Sequence, residues 1–376
     1  MAYGEIGIIL GAIILVLFIA QIALQLGIYG RVASFRLMSK TKIREKEPGI
    51  SIIIPLFAED TEYLDTTLPK MLTQDYAEFE VVLVYVGNNN DFFEDIKSLQ
   101  RLYPNLSPVY INYSPHYPVS TKIALNIGIK SAKYDFVVIS SSDATPSSER
   151  WLSLLAKGFL YGDVVLGYSS ITNGGGLKNF IFREYTFNDS IAWLSAAIRQ
   201  RPYSASRNAL GFKKSLYFEV RGFNHLNMQV GENDLFLQQI ATRDNVSVVL
   251  SPRATCSERI WGGWSWWWQN TKMLHSTHRY YPTGVMFPST AELLVRTLFF
   301  ASIITAIVLM PWEFFVAAIV IALIRYFIVI FVMVRNARRL GEAGLVPLHF
   351  IYDLIEPALR LFIAIAPEKR NKNAWH

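Results

Sequence analysis

The first candidate for chemistry is a carboxylate that directly follows a short apolar run. Asp143 lies in the segment Ser140-Ser141-Ser142-Asp143-Ala144-Thr145, after the apolar residues 136–140. A carboxylate at the end of a buried strand can hold a divalent cation on a diphosphate, because Mg²⁺ prefers one or two carboxylates plus phosphate oxygens. The alternative is that Asp143 caps a helix that starts at Ser147. The segment alone leaves both interpretations open.

A second pair of carboxylates opens an apolar helical stretch in Gly231-Glu232-Asn233-Asp234-Leu235. Either Glu232 or Asp234 could act as a general base and take the proton of an acceptor hydroxyl. Acidic side chains also favour the first turn of a helix, where they interact with its dipole, so capping is the alternative here.

A third segment is rich in tryptophan. Five of the nine tryptophans fall within the eight residues from Trp261 to Trp268. Indole rings concentrate at membrane–water boundaries because the ring is apolar and its N–H is wet, which favours an anchoring role. Stacking on a sugar is the functional alternative. His275 and His278 follow without a matching cluster of further ligands, and we interpret them as structural or phosphate-adjacent.

Alternating strand and helix signals between Lys46 and Pro288 predict the domain that positions these residues. Short apolar runs predict buried parallel strands, and helical spacing of apolar residues predicts the helices between them. The predicted strands are 51–55, 79–86, 109–113 and 136–140, and the predicted helices are 61–74, 91–103 and 122–132. This alternation favours an α/β fold with a doubly wound parallel sheet, in which ligands bind at the carboxyl ends of the strands.

Apolar runs at both ends of the chain predict membrane segments. Hydrophobic residues make up 52% of the sequence and charged residues only 18%, which is too apolar for an ordinary soluble enzyme. Residues 6–30 carry no charge and exceed the roughly 20 residues that cross a bilayer. A cleaved signal peptide, the alternative, would need a basic start and a shorter apolar stretch. Residues 291–310 and 314–334 predict a membrane hairpin with an outer turn at 310–313.

Basic residues set the predicted orientation. Those that follow the first apolar run are Arg31, Arg36, Lys40, Lys42, Arg44 and Lys46. Positive flanks stay on the cytoplasmic side, so we expect a multi-pass protein of the cell membrane with a cytosolic catalytic domain. The net charge of +6 is then explained by topology and by contact with membrane lipids, and no nucleic-acid partner is expected. The single cysteine, Cys256, cannot form an intrachain disulfide, which fits a reducing compartment.

Charged residues complicate the last part of the chain. Arg325 lies in the middle of a predicted span and is costly in lipid, so we expect a buried pair with Asp353 or Glu356. Both acids belong to the final apolar stretch, 345–366, which we interpret as a re-entrant or interfacial helix because a plain span would export the basic tail.

The order and spacing of these segments resemble the membrane-bound family 2 glycosyltransferases of the GT-A fold, over essentially the whole chain. The chain is also similar to the ceramide glucosyltransferases and, more distantly, to the cellulose and hyaluronan synthases. The motifs that carry the resemblance are Pro55 to Glu59, Gln74-Asp75-Tyr76, Lys122 to Lys130, Asp143 three residues before Pro146, Arg207 to Leu216, Glu232 to Leu235, and Gln269 to Met273.

The resemblance implies an inverting transfer of a sugar from a nucleotide-diphosphate donor to a lipid or glycan acceptor. It implies a divalent cation, Mg²⁺ or Mn²⁺, on Asp143, and Glu232 as the catalytic base with Asp234 as the alternative. The residues implied to border the donor are Pro55, Leu56, Glu59, Asn88, Lys122, Ser142, Arg207, Asn208, Gln269 and Lys272. A processive polysaccharide synthase and a catalytically silent pseudo-glycosyltransferase scaffold remain alternatives.

Several positions depart from the family's motifs. After the second strand, where the family often has acidic residues, this chain has Asn88, to which recognition of the base would pass. Ser141 replaces the first aspartate of Asp-x-Asp, and Lys272 and Met273 replace the arginine and tryptophan of Gln-x-x-Arg-Trp. A lysine keeps the positive charge but lacks the bidentate fork of arginine. Loss of the aromatic platform favours a lipid or short acceptor over a long polymer.

The resemblance also implies the fold class: an α/β, GT-A type (Rossmann-like) nucleotide-sugar-binding domain with one N-terminal and two to three C-terminal transmembrane or interfacial helices. The predicted domains are a transmembrane anchor at 1–30, a basic juxtamembrane segment at 31–48, a cytosolic GT-A domain at 49–288, a transmembrane hairpin at 289–334, and a third membrane or interfacial helix with a basic tail at 335–376.

Overall fold

The apolar runs at the two ends of the sequence belong to one compact unit, and the middle of the chain forms another. The structure is a computed structural model that describes residues 2–114, 119–223, 228 and 230–365, so the predicted basic tail lies outside the described residues. Of the described residues, the first unit combines those up to Ser34 with 282–365, and the second contains Phe35–Tyr281.

The described strands are β1 Ile50–Leu56, β2 Phe79–Gly87, β3 Leu106–Asn112, β4 Phe136–Ile139, β5 Ala144–Pro146, β6 Val164–Leu166, β7 Ser169–Ile171, β8 Leu210–Lys213, β9 Val246–Val248 and β10 Cys256–Glu258. The helices are α1 Ala2–Ile28, α2 Gly30–Ser34, α3 Leu68–Leu72, α4 Asn90–Leu99, α5 Thr121–Ser131, α6 Trp151–Phe159, α7 Gly176–Ile198, α8 Lys214–Glu219, α9 Asp234–Ile240, α10 Trp264–His275, α11 Phe287–Leu309, α12 Trp312–Leu340 and α13 His349–Ile365.

Three helices of the first unit are long enough and apolar enough to cross a membrane: α1 from Glu5, α11 and α12. They coincide with the three predicted apolar runs. Their shared core contains Ile14, Phe299 and Ile303, and most of their other apolar side chains face outward. Such helices are stable in lipid, because every backbone group is bonded within the helix and the exposed side chains are apolar.

Helix α13 differs from the three long helices in the way it packs. It has 17 residues, and its acidic side chains, Asp353 and Glu356, point into the unit while Leu354, Phe362 and Ile365 are exposed. Asp353 accepts hydrogen bonds from both Arg325 of α12 and Arg296 of α11. The predicted pairing of Arg325 with an acid of the last stretch is thus confirmed, with Asp353 as the partner.

The second unit is built on a seven-stranded sheet in the order β3-β2-β1-β4-β8-β6-β9. Strands β1 to β4 run parallel, as the continuous apolar runs predict, and β1 and β4 are buried throughout. Strand β8 runs antiparallel to both of its neighbours, β4 and β6. A separate three-stranded sheet has the order β5-β10-β7.

Helix α5 lies directly against the centre of the large sheet. Gly128 makes this approach possible: a Cβ atom there would lie 2.5 Å from Cγ2 of Ile53 on β1 and 2.9 Å from Cγ2 of Val84 on β2. The close packing fixes the start of α5, where Lys122 is located.

One predicted helix forms differently from its pattern. The helix expected over residues 61–74 forms over residues 61–72, with a π-helical segment at Tyr63–Thr67 inserted between α-helical residues 61–62 and Leu68–Leu72. Asp60 accepts a hydrogen bond from the Tyr63 backbone N–H at 3.0 Å and so starts this segment. A π segment carries the same apolar residues as an α-helix would, and periodicity does not separate the two.

Candidate active site

Asp143 is held at the junction of the two sheets. It lies between β4 and β5, and β10 pairs antiparallel with β5 so that Glu258 is opposite Ala144. The Arg259 backbone N–H donates to the Asp143 carbonyl at 2.9 Å, and Trp261 Nε1 donates to Asp143 Oδ1 at 2.7 Å. The next helix begins only at Trp151, with Arg150 at its N-cap, so Asp143 does not cap it.

Arg207 connects Asp143 with two further carboxylates. Its Nε lies 3.4 Å from Oε1 of Glu232. Burial acts to lower the pKa of Arg207, but the carboxylates of Glu232, Glu258 and Asp143 outweigh it and hold that pKa above its ordinary value. Three acidic side chains from three separate segments therefore share the field of one guanidinium.

Glu258 is the member of this group that sequence reasoning missed. Asn208 Nδ2 donates to its Oε2 at 2.9 Å. Burial raises the pKa of Glu258, Arg207 opposes that rise and Asp143 adds to it. Strand β10 is only three residues long and has no periodicity to detect, so no pattern placed Glu258 beside Asp143.

Glu232 and Asp234 are both buried but differ in their partners. Asp234 Oδ2 accepts hydrogen bonds from Thr277 Oγ1 at 2.5 Å and from Tyr281 OH at 2.7 Å. Glu232 is 2% exposed, and within the part of the chain that the structure describes its Oε2 has no hydrogen-bond partner. A buried carboxylate oxygen without a donor is unfavourable unless a ligand group completes it. Capping therefore does not account for Glu232, whereas Asp234 lies in the first turn of α9, where its Oδ1 accepts a hydrogen bond from the Leu235 backbone N–H at 2.7 Å.

Lys122 belongs to the same cluster. It follows Ser120, whose side chain caps α5, and its own side chain is fully buried. Burial lowers the pKa of Lys122, while Glu232 and Asp234 raise it. The predicted lysine, the predicted acids and Asp143 are thus brought into one electrostatic group, in which Arg207 and Lys122 carry the positive charge.

The predicted donor residues on β1 and β2 form a second group at the carboxyl ends of those strands. Glu59 accepts hydrogen bonds from Asn89 Nδ2 at 2.8 Å and from Tyr85 OH at 3.3 Å. Pro55 is buried at the end of β1 together with Leu56, which follows it. Asn88, which was expected to meet the base, is exposed, and the amide that contacts Glu59 is its neighbour.

Ser141 and Ser142 lie on the chain just ahead of Asp143 and are both partly exposed. The Oγ atom of Ser141 is buried and, within the described residues, has no hydrogen-bond partner. A hydroxyl in this state offers one unused donor and acceptor beside the carboxylate.

The Gln-x-x-Arg-Trp-like segment lies on α10. Gln269 is exposed and donates to Ser265 Oγ at 3.3 Å, a contact within its own helix, and Lys272 is partly exposed. The structure does not bring Gln269 to Asp143 or to Glu232 through any described contact. Of the tryptophans ahead of it, Trp267 is buried and stacks on Phe182 with ring centroids 4.7 Å apart.

A cavity adjoins the charged cluster. It lies between α7, the loop that carries Arg207, and α10, and it reaches Asp234, Glu258 and Tyr281. Burial and the Asp234 carboxylate both raise the pKa of Tyr281, so its hydroxyl remains a proton donor to that carboxylate.

The residues present fit a divalent cation that is shared with a ligand, rather than one enclosed by protein. Among the described residues there is no group of three or more His, Cys, Asp or Glu side chains that could hold a metal ion. Asp143 and Glu258 interact electrostatically, and Mg²⁺ takes one or two carboxylates when phosphate oxygens complete its shell. The chemistry of this donor set therefore suits a cation that arrives with a diphosphate.

Comparison with known proteins gives a family and a fold. The family described as glycosyl transferase family 21 matches residues 13–360. No curated protein matches the chain. Among solved structures, the mannosyltransferase PcManGT from Pyrobaculum calidifontis in complex with GDP-Man and Mn²⁺ is similar over 93% of this chain and 99% of its own, with a TM-score of 0.56 and 15% identity. This likeness confirms the expected GT-A fold.

A second solved protein is also similar. TarS from S. aureus, residues 1–349, matches over 81% of this chain and 91% of its own, with a TM-score of 0.42 and 16% identity. Its complex with UDP-GlcNAc matches over 81% and 92%, with the same TM-score of 0.42 and 16% identity.

Proposed function

Because the chain belongs to glycosyl transferase family 21, we propose that it transfers a sugar, with inversion, from a nucleotide-diphosphate donor to a membrane-associated acceptor at the cytosolic face. The family match confirms the resemblance to the family 2 glycosyltransferases. The observation that carries the finer proposal is the convergence of Asp143, Glu232 and Glu258 on Arg207. The three carboxylates come from three separate segments of the chain. A structural role for one of these segments would not require the other two to bring a carboxylate near the same guanidinium.

The donor is proposed to lie along the carboxyl ends of β1, β2 and β4. Leu56 and Glu59 would border its base, with Asn88 or Asn89 as the neighbouring amide, since ligands of such sheets bind at these ends. The mannosyltransferase of like fold is described with GDP-Man and Mn²⁺, which makes nucleotide-diphosphate sugars the first donors to test.

Asp143 would hold the divalent cation, with Glu258 as the second carboxylate in place of the aspartate lost at Ser141. A bound Mg²⁺ or Mn²⁺ would supply Lewis-acid stabilisation to the departing diphosphate. Lys122 lies in the same charged cluster, and its ammonium would add positive charge near the leaving group.

Glu232 is the proposed general base. Its Oε2 is buried without a hydrogen-bond donor, whereas Asp234 Oδ2 already accepts from Thr277 and Tyr281. In the proposed step Glu232 takes the proton of the acceptor hydroxyl, the oxygen bonds to the anomeric carbon, and the bond from that carbon to the diphosphate oxygen breaks. Asp234 would position the segment that carries the base.

A screen of nucleotide sugars tests the proposal. The full chain in detergent is incubated with GDP- and UDP-sugars, with and without Mn²⁺, and free nucleotide is measured. Release from one class of donor that depends on the cation is expected. Absence of release from every donor, with and without acceptors, would refute sugar transfer by this chain.

A further inference from the structure

The cavity beside the charged cluster lies where an acceptor would have to bind. Within the described residues its lining includes Arg207, Asp234 and Glu258 but none of the donor-side residues Leu56 and Glu59. The proposed base, Glu232, is not among the described lining residues, but Arg207, whose Nε lies 3.4 Å from Glu232 Oε1, is, so the cavity adjoins the group of charges that holds the base. A molecule in this cavity can present a hydroxyl to that group without occupying the donor's place.

The lining of the cavity is hydroxylated and aromatic rather than aliphatic. Ser169 and Ser206 lie on one wall, bonded to each other at 2.8 Å, and Asn270 on α10 adds an amide. Trp266 and Trp267 supply indole rings, which combine an apolar face with a polar N–H. Hydroxyls of a ligand could add hydrogen bonds to the Asn270 amide and to the Ser169 and Ser206 oxygens, which have acceptor sites beyond their mutual bond, whereas an aliphatic chain would remove water from these groups without adding any.

The charged side chains that line the cavity restrict the charge that its ligand can carry. Asp189, Asp234 and Glu258 line it, and Arg207 is the cation that lines it among the Lys and Arg residues of the described chain. With Glu258 assigned to the proposed cation, Asp189 and Asp234 still outnumber Arg207 in the lining, and this excess repels a carboxylate or phosphate on the ligand, since like charges at close range are unfavourable in a partly desolvated site.

We propose that this cavity binds an uncharged polyhydroxylated group, a sugar or polyol, as the acceptor; the inference rests on the sugar-transfer function proposed above. The group could belong to a free saccharide or form the headgroup of a lipid, because both present the same hydroxyl chemistry to the cavity.

Four acceptors separate these cases when the full chain is assayed in phosphocholine micelles with a donor that releases nucleotide. They are methyl glucoside, dodecyl glucoside, dodecyl glucuronide, and a ceramide, which lacks a ring of hydroxyls. Glycosylated product is expected from one or both glucosides, with dodecyl glucoside preferred if the source is a lipid headgroup. Product from the glucuronide should be at least about tenfold lower than from dodecyl glucoside, because about 1.4 kcal/mol of repulsion suffices for that factor.

A matched pair of tryptophans tests the location. Trp266 lines the cavity and is 41% exposed, whereas Trp264 lies on the same helix, is 47% exposed, and is not part of the described lining. Trp266→Ala should raise the KM for the glucoside by about tenfold, the typical effect of removing an aromatic anchor. Trp264→Ala should leave it unchanged. Release of nucleotide without acceptor should be unchanged in Trp264→Ala.

Saturation-transfer NMR with methyl glucoside gives a readout independent of turnover, and its signal should fall in Trp266→Ala alone. Transfer to ceramide with both glucosides inert would overturn the acceptor class while leaving sugar transfer intact. Equal effects of the two tryptophan substitutions would overturn the location. If no donor releases nucleotide and methyl glucoside gives no transfer signal in the wild type, both proposals fail.

Discussion

At the scale of single residues, the site depends on which buried carboxylate remains available to a substrate. Asp234 is fixed by Thr277 and Tyr281 at Oδ2 and by the Leu235 backbone N–H at Oδ1, so both of its oxygens already accept hydrogen bonds. Glu232 has a buried oxygen that no described group satisfies. The isosteric substitutions Glu232→Gln and Asp234→Asn are therefore expected to differ in their effects, the first acting mainly on turnover and the second mainly on stability.

Glu232→Gln should lower turnover by about 10²–10⁴-fold, the usual contribution of a general base, and should leave nucleotide binding within about twofold of wild type. Initial rates of product formation and equilibrium binding of nucleoside diphosphate check both parts. Asp234→Asn is the matched control. It should lower the free energy of unfolding, and its turnover per folded molecule should fall by less than that of Glu232→Gln. If Asp234→Asn abolishes turnover in fully folded protein while Glu232→Gln does not, the assignment of the base is wrong.

Asp143 and Glu258 are expected to act together on a divalent cation. Asp143→Asn should weaken Mn²⁺ binding measured by electron paramagnetic resonance in the presence of nucleoside diphosphate by at least about tenfold, because one of two carboxylate ligands loses its charge. Glu258→Gln should produce a smaller loss in the same direction. Glu94→Gln, an exposed acid on α4, is the control and should have no effect.

Unchanged Mn²⁺ affinity in Glu258→Gln would show that Glu258 does not bind the cation and serves only to hold Asn208 and Arg207 in place. Unchanged affinity in Asp143→Asn would remove the cation from this site.

Residue types were visible in the sequence, but partners were not. Asp143 and Glu232 stood out because one follows a strand and the other opens a helix, and the family resemblance implied Lys122. The bond from Trp261 to Asp143 joins positions 118 residues apart, and nothing in the local pattern encodes such a contact. The tryptophan-rich segment was therefore interpreted through composition, which favoured a membrane boundary over sugar stacking and gave no sign of the contact with Asp143.

At the scale of elements, the parallel strands were predictable because burial on both faces produces continuous apolar runs. Strands β1, β2 and β4 begin within one residue of their predicted starts. The three-residue strands β5, β7 and β10 carry no such run, so the small sheet that places Glu258 could not be anticipated.

The contact of α5 with the sheet makes a prediction at this scale. Gly128→Ala should destabilise the second unit by about 1–3 kcal/mol, because the added Cβ overlaps Ile53 and Val84 and overpacking has this cost. Gly263→Ala meets nothing within 4 Å and should change stability by less than about 0.5 kcal/mol. Urea unfolding followed by tryptophan fluorescence measures both. A Gly128→Ala variant as stable as Gly263→Ala would contradict the close packing that positions Lys122.

At the scale of the whole molecule, charged groups organise the first unit, which contains the three long apolar helices, as well as the charged cluster around Arg207. Arg296 contacts Glu292 at 3.1 Å, Asp353 at 3.0 Å and Glu356 at 2.9 Å, and all four are nearly fully buried. In a low-dielectric environment such groups persist only when each charge is compensated. This network explains how α13 keeps its acids inside the unit and its apolar side chains outside.

Asp353→Asn should therefore lower the stability of the first unit by about 3–5 kcal/mol, the cost of leaving a buried charge without its partner. A fall in the thermal unfolding midpoint in detergent measures it. Glu313→Gln removes an exposed acid at the start of α12 and should leave the midpoint unchanged. Equal midpoints for the two variants would show that the network contributes nothing to stability.

The lone thiol has a practical consequence for the proposed orientation. Cys256 is wholly enclosed in β10, and burial raises its pKa well above the ordinary value, so the folded chain presents no reactive thiolate to a maleimide. A cysteine introduced at an exposed position is then the residue at which a maleimide reacts. On intact cells an impermeant maleimide should label Glu313→Cys and should not label Lys42→Cys. The reverse pattern would show that the protein has the opposite orientation in the bilayer.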